Sequence, residues 1–148
     1  IEINMLTAYI NKGISYTAYR QMIDALLQEG KTTGVETYQT PQIIDYAKLN
    51  VARMNRLDKT VTLLPELVAV LQQIHTPQYW LLLTEGWCGD AAQVVPVIHA
   101  MSKVNEHVHL QLLLRDQHLE LMDAYLQNGK SRSIPKLIAC TANGGELF

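Results

Sequence analysis

The residues best suited to chemistry surround Cys88. The short apolar run 79–83, which follows Pro77, predicts a buried strand because it consists mostly of large apolar residues. The largely apolar stretch 91–101 predicts a helix that starts at the cysteine. A thiol at such a junction lies among unpaired backbone N–H groups at the positive end of the helix dipole, where the thiolate is favoured. The pattern therefore predicts a cysteine placed for chemistry.

Further features accompany this cysteine. Trp87-Cys88-Gly89 matches the first half of a W-C-G-P-C motif, Pro96 lies eight residues after the cysteine, and the segment 132–135 ends in Ile134-Pro135. Together they resemble the thioredoxin family over roughly residues 59–148. The resemblance implies an α/β fold, with a mixed central sheet flanked by helices and a helix kinked at Pro96. It also implies a cis Ile134–Pro135 bond that faces Cys88 and presents backbone groups to an extended substrate.

The departures from the family pattern concern the second half of the motif. Ala91 takes the position of the resolving cysteine and Asp90 that of the intervening proline, which gives the W-C-G-D variant of some bacterial thioredoxin-like proteins. Leu82 takes the position of the buried aspartate that handles the resolving cysteine's proton in thioredoxins. The loss of the resolving cysteine and the loss of the aspartate are consistent with each other. Without a resolving thiol the buried carboxylate has no role, and burying it without a partner would cost several kcal/mol.

The resemblance implies that Cys88 is a single catalytic thiol that attacks disulfides or oxidised thiols and forms mixed disulfides. Release would need a protein partner or a low-molecular-weight thiol such as glutathione, and no cofactor or metal is expected. One alternative is a non-catalytic module that binds an extended peptide in the groove between Cys88 and Pro135; another is a purely structural role. The substrate-binding residues that the resemblance implies are Trp87, Gly89, Asp90, Ile134 and Pro135.

Two effects on the Cys88 thiol are expected to cancel. The helix dipole stabilises the thiolate by up to ~1 kcal/mol, and the Asp90 carboxylate, about 6 Å away, opposes it by a similar amount. We therefore expect a titration close to that of an ordinary thiol. Glu85 is a candidate proton acceptor for Cys88, although a solvated carboxylate is the simpler interpretation.

Other possible sites are weaker. Cys140 lies five residues past Pro135 on a predicted strand, about 16 Å from the active-site end, so we expect it to be buried and not paired with Cys88. The pair His107 and His109 shares one strand face, but no Cys or carboxylate pattern accompanies it, so a metal site is not expected. His99 is eleven residues along the helix from Cys88, about 16 Å away, which excludes a nucleophile pair.

Composition limits the partners. The chain has 148 residues, 48% of them hydrophobic, and a net charge of −2 without a dense basic patch, which argues against nucleic acid as the main partner. No apolar run approaches the ~18 residues that a membrane span needs, so we expect no membrane partner. The location is expected to be cytoplasmic. Because the chain opens on Ile1, an upstream segment that was removed remains compatible with the sequence.

Residues 1–57 are expected to form a helical extension that the basic thioredoxin unit does not have. Ser15 predicts the cap of a first helix that stops near Gly30, and the polar stretch 31–39 predicts a loop. Thr40 and Pro41 predict the start of a second helix that runs to about Leu57. The apolar face of this second helix is Ile44, Ala47, Val51 and Met54, and its opposite side carries Lys48, Arg53 and Arg56. Those cations are expected to form a solvated face, with a docking patch for an acidic partner as the alternative.

Residues 58–148 are expected to form the thioredoxin-like domain. Besides the strand 79–83 and the Cys88 helix, its predicted elements are an edge strand at 60–64, a helix at 65–74, a strand at 107–114, a helix at 117–127, a strand at 136–140 and a hairpin turn at 143–145. In the family a strand and a final helix follow that turn, so the C-terminal end is expected to be incomplete.

Overall fold

A computed structural model describes residues 2–148, with side-chain surroundings from Met5 onward. Its elements, in chain order, are helices α1 (Glu2–Tyr9), α2 (Tyr16–Gln28), α3 (Pro41–Thr60) and α4 (Pro65–Leu71), strand β1 (Gln78–Thr84), helix α5 (Gly89–Ser102), strand β2 (Val108–Leu114), helix α6 (Leu119–Ala124) and strand β3 (Lys136–Cys140). Short 3-10 turns occupy Glu36–Tyr38 and Arg115–Gln117.

The predicted caps of the N-terminal helices are confirmed. The Ser15 hydroxyl accepts a hydrogen bond from the Ala18 amide, and the Thr40 hydroxyl accepts one from the Ile43 amide. These side chains satisfy N–H groups that have no partner within a helix. Pro41 lies in the first turn of α3, where its missing N–H costs nothing.

The prediction of an edge strand at 60–64 is wrong. Helix α3 continues to Thr60, and the Val61 amide still donates to the Leu57 carbonyl. The outer edge of β2 is met instead by Ile14, whose amide donates to the Leu112 carbonyl and whose carbonyl accepts from the Leu112 amide. The helices predicted at 65–74 and 117–127 are also shorter, at Pro65–Leu71 and Leu119–Ala124.

The described strands form one mixed sheet in the order β2-β1-β3. Strand β1 runs parallel to β2 and antiparallel to β3, with Leu82 aligned to Leu112 on one side and Leu137 on the other. Beyond β3 the predicted turn forms, and the Leu147 amide donates to the Ala139 carbonyl. The thioredoxin-like mixed sheet flanked by helices is thus confirmed.

The N-terminal helices contribute to the core on both faces of the sheet. Because side chains alternate along a strand, β1 directs Leu81 and Leu83 to one face and Leu82 to the other. The first face packs against residues of α1 and α6, and the second against residues of α2, α3 and α5. The boundary predicted at 57/58 falls within α3, and the division into an extension and a domain stays a prediction.

None of the helices between Glu2 and Phe148 combines the length and the apolar character that crossing a bilayer requires.

Candidate functional site

Cys88 lies where the fold brings the end of β1 to the start of α5. It is the N-cap residue of α5, and its sulfur accepts a hydrogen bond from the Ala91 amide at 3.5 Å. The same Sγ lies 3.7 Å from the Ile134 carbonyl oxygen, to which the thiol can donate. The Ile134–Pro135 bond is cis, as predicted. The structure therefore brings together the half-buried free thiol and the segment before Pro135.

Burial sets the direction of the shift in the pKa of Cys88. It raises the pKa of the thiol above its ordinary value, while hydrogen bonds from the Ala91 and Asp90 amides lower the pKa. The Asp90 carboxylate raises the pKa further, and the Arg115 guanidinium lowers it. The expectation of cancelling effects took in only the dipole and Asp90, so it missed both the burial and Arg115.

Trp87 is covered on one face by the N-terminal region. Its ring stacks on Tyr38, with centroids 4.2 Å apart and planes 7° from parallel. The Arg115 guanidinium lies 5.1 Å from the Trp87 ring centroid and donates to the Tyr38 hydroxyl at 3.0 Å. At Gly34, which has a positive φ of 99°, a β-carbon would come within 2.9 Å of the Trp87 indole nitrogen. Trp87 can therefore contact a substrate only through the part of its ring that Tyr38 does not cover.

The backbone of residues 85–88, called here the Cys88 loop, is held by side chains from the N-terminal region. The Thr33 hydroxyl accepts from the Gly86 amide at 2.8 Å, and the Asn50 side chain donates to the Gly86 carbonyl at 3.1 Å. Asn50 is fully buried, and its own oxygen accepts from Arg53 at 3.1 Å. Both polar groups of Gly86 are thereby satisfied in the interior.

The family model described as Thioredoxin matches residues 37–148. This chain belongs to the thioredoxin family. The match begins before α3, so it includes the helix that supplies Asn50 and Arg53.

Solved structures share the fold. A protein of unknown function from Pseudomonas aeruginosa is 16% identical, with a TM-score of 0.56 over 91% of this chain and 75% of that one. An HIV epitope-scaffold is also 16% identical, with a TM-score of 0.51 over 90% of this chain and 74% of that one. At such identities the likeness shows the fold alone. Among curated proteins, none matches this sequence.

Two of the three positions at which this thioredoxin-family chain departs from the family pattern lie in the core. Ala91 and Leu82 are both almost fully buried and belong to the same apolar cluster, against which Cys88 packs. A small apolar residue and a leucine thus fill the space where the family resemblance implied a second thiol and a carboxylate. Asp90, the next departure, is exposed in the first turn of α5.

Glu85 is not the solvated carboxylate that the simpler interpretation expected. It is fully buried, and its Oε2 accepts from the Asp116 amide at 3.1 Å, whereas its Oε1 has no partner among the described residues. Burial raises the pKa of this carboxyl group, and the hydrogen bond from the Asp116 amide opposes the rise. The polar contacts of the Cys88 sulfur described above go to Ala91 and Ile134, not to Glu85.

The remaining candidates lie apart from the thiol. Cys140 is buried and free in β3, as the sequence predicted. It packs on the face of the sheet opposite to that of Cys88. His99 stacks on Tyr16 with ring centroids 4.3 Å apart, and His109 stacks on Tyr79 at 4.9 Å. In the part of the chain with described side chains, no group of three or more His, Cys, Asp or Glu residues could hold a metal ion.

Sequence reasoning missed the residues that shape the Cys88 loop, above all Thr33, Tyr38 and Asn50. One signal was available for Asn50, because it lies three residues after Ala47 and four before Met54, on the apolar face of α3. A polar amide on such a face needs a buried partner. No comparable signal marks Thr33 or Tyr38, since both lie in or beside a polar loop without periodicity.

Proposed function

We propose that this thioredoxin-family protein carries out thiol–disulfide exchange through Cys88 alone. The observation that carries the proposal is the half-buried Sγ at the start of α5, 3.7 Å from the Ile134 carbonyl of the cis Ile134–Pro135 segment. An extended substrate pairing with the backbone before Pro135 would bring its disulfide to this sulfur. Trp87, Gly89 and Asp90 flank the same position.

The exchange consists of three successive nucleophilic attacks by thiolates. The Cys88 thiolate attacks one sulfur of a substrate disulfide, forms a mixed disulfide and releases the other sulfur as a thiolate. An external thiolate then attacks the Cys88 sulfur, so that the substrate leaves fully reduced and takes up a proton. A second external thiolate attacks the remaining mixed disulfide, which yields the oxidised external thiol and restores Cys88. The protein ends unchanged, and two external thiols supply the electrons.

An external thiol is required because the chain offers no resolving one. Ala91 occupies the position from which a second cysteine would act, and Cys140 is buried on the other face of the sheet. The proposed partner is a protein thiol or a low-molecular-weight thiol such as glutathione. The same proposal places the protein in the cytoplasm, where such thiols are kept reduced.

A binding module without turnover is the second candidate, and burial of the thiol favours it. The pKa of Cys88 is raised by burial, which lowers the fraction of reactive thiolate near neutral pH. In this alternative, the groove between Cys88 and Pro135 holds an extended peptide without covalent exchange.

Trapping of a mixed disulfide tests both candidates. The protein is mixed with a peptide that contains one disulfide, the reaction is quenched with acid, and the adduct is measured by intact mass. Thiol exchange predicts an adduct with the native protein and with Cys140→Ala, and none with Cys88→Ser. Non-covalent binding that is equal in the native protein and in Cys88→Ser, without any adduct, would support the binding module and overturn the proposed exchange.

A further inference from the structure

A small groove lies between helix α3 and the Cys88 loop. Its volume is about 280 Å³, below the lower end of the range of roughly 300–1,000 Å³ typical of small-molecule sites. Two of its lining residues, Trp87 and Gly89, are the chain neighbours of the cysteine. The full lining, called here the α3 groove, consists of Tyr46, Leu49, Asn50, Arg53, Trp87 and Gly89.

The α3 groove combines apolar walls with one cation. Tyr46 and Leu49 are large side chains that remain about half exposed, at 51% and 46%. The Arg53 guanidinium donates to Asn50, and its Nη1 would lie 3.4 Å from a β-carbon built on Gly89. The cation is therefore held next to the first residue of α5.

Arg53 is not paired with a carboxylate among the residues whose side chains are described. The acidic residues of α3 have other partners, since Asp45 pairs with Lys48 at 3.9 Å and Asp58 with Arg20 at 2.7 Å. A half-buried guanidinium whose planar donors lack an anion is suited to bind a carboxylate. The apolar walls are suited to the short carbon chain that bears it.

We propose that the α3 groove binds the carboxylate-bearing part of a small anionic thiol while the sulfur of that thiol attacks Cys88. The inference rests on the proposed thiol exchange and names its external thiol as an anionic small molecule. The occupied state is the adduct in which the Cys88 sulfur is joined to the small thiol, with the carboxylate on Arg53. The small volume argues for such a molecule over a peptide segment.

The test measures how fast different thiols displace a neutral leaving group from Cys88. Dithiodipyridine converts Cys88 to its pyridyl disulfide, and released pyridinethione reports attack on the cysteine sulfur by the added thiol. The probes are 3-mercaptopropionate and its uncharged analogue 3-mercaptopropanol. Each rate is divided by the rate of the same thiol with free dithiodipyridine, which removes intrinsic differences in nucleophilicity.

The native protein is expected to prefer the anionic thiol by about two- to fivefold, the size expected for a partly exposed charge pair. Arg53→Gln should remove this preference, Arg53→Lys should retain part of it, and Arg56→Gln, the same charge change on the neighbouring turn of α3, should leave it intact. High salt should weaken the preference in the native protein, which requires no variant.

Equal normalised rates for the two thiols in the native protein would overturn the α3 groove as an anion site. A preference that survives Arg53→Gln would overturn the role of Arg53. Both results are distinct from failure of the proposed exchange, which would appear as absence of the peptide mixed disulfide while the pyridyl adduct still forms.

Discussion

On the side of α3, the Cys88 loop is held by side chains from the N-terminal region, whereas on the side of Pro135 the thiol meets a main-chain carbonyl. Thr33 and Asn50 bond both polar groups of Gly86, and Tyr38 stacks on Trp87. On the other side, the Ile134 carbonyl oxygen lies 3.7 Å from Cys88 Sγ.

The two sides of the site therefore differ in kind: the backbone makes the contact on the Pro135 side, and particular side chains make the contacts on the α3 side. A carbonyl before a proline is present whatever the side chain of Ile134, so that side of the site depends on the chain path. The α3 side depends on the identity of a few residues that satisfy or cover the loop. We infer that the Pro135 side provides a backbone acceptor that depends only on the fold. The α3 side, in contrast, determines how the Cys88 loop is shaped and how much of it is accessible.

The largest expected effect concerns the chemistry itself and comes from Ala91→Cys. The native protein should not reduce insulin repeatedly when supplied with thioredoxin reductase and NADPH, because no second thiol expels the bound substrate. The Ala91 amide already donates to the Cys88 sulfur, so a thiol at this position is expected to form a disulfide with Cys88 and to give measurable activity. The activity should stay limited, because Leu82 provides no carboxylate for the new thiol's proton.

Ala91→Ser is the matched control, since it adds a polar atom of similar size without a thiol. It should remain as inactive as the native protein in the same NADPH assay. Efficient catalysis by the native protein would contradict the single-thiol proposal, because another group would then have to resolve the mixed disulfide.

The next largest effect is expected from Asn50→Ala on the α3 side. The substitution leaves the buried Gly86 carbonyl without its donor, which should lower the free energy of unfolding by about 1–3 kcal/mol. Urea denaturation measures the loss, and Gln42→Ala in the exposed first turn of α3 serves as control. A loss below about 0.5 kcal/mol would mean that water replaces the amide and that the loop is not held by this bond.

A smaller effect is expected from loss of the stack on Trp87. A double-mutant cycle that combines Tyr38→Ala with Trp87→Ala should give a coupling of about 1 kcal/mol in the free energy of unfolding, as parallel ring pairs do. Tyr38→Phe keeps the ring and loses only the hydroxyl that accepts from Arg115, so it should preserve most of the coupling. Additive single effects would indicate that the rings touch without stabilising each other.

The smallest effect is expected from Asp90→Asn. The Asp90 charge raises the pKa of Cys88, so its removal should lower that pKa and increase the thiolate fraction at neutral pH. Alkylation by iodoacetamide at pH 7 should accelerate by no more than about fivefold, as for an exposed charge. At a pH well above both pKa values the two rates should converge, because both proteins are then fully ionised. Asp24→Asn, an exposed change in α2, should leave the profile unchanged.

Local signals predicted much of this fold. Ser15 and Thr40 mark helix starts by side-chain chemistry that acts within one turn, and the apolar runs mark β1 and β2. The resemblance placed Cys88 opposite Ile134 because the chain path of the fold, not a local preference, brings them together. Helix α1 was missed, since packing against the sheet decides it. The end of α3 was also missed, and there Asp58 bonds to Tyr16 and Arg20 of α2.

The parts of the site that the sequence did not predict depend on contacts between distant segments. Tyr38 and Trp87 lie far apart in the sequence, and nothing in the polar stretch 31–39 indicates that their rings stack. Glu85 shows the same limit, because its burial follows from where β1 ends and from the Asp116 amide above it. The sequence around a charged side chain at the end of a strand gives no sign that the fold encloses it.

The contact between Ile14 and the middle of β2 has a consequence for self-association. A sheet edge with unpaired backbone groups is a template on which a second chain can add a strand. Ile14 exchanges two hydrogen bonds with Leu112, and a β-carbon on Gly13 would come within 2.6 Å of the Gln111 β-carbon, so the N-terminal segment lies tightly against that edge. Another chain would have to displace this segment before it could pair with β2. The segment thus blocks the middle of this edge against pairing with a second chain.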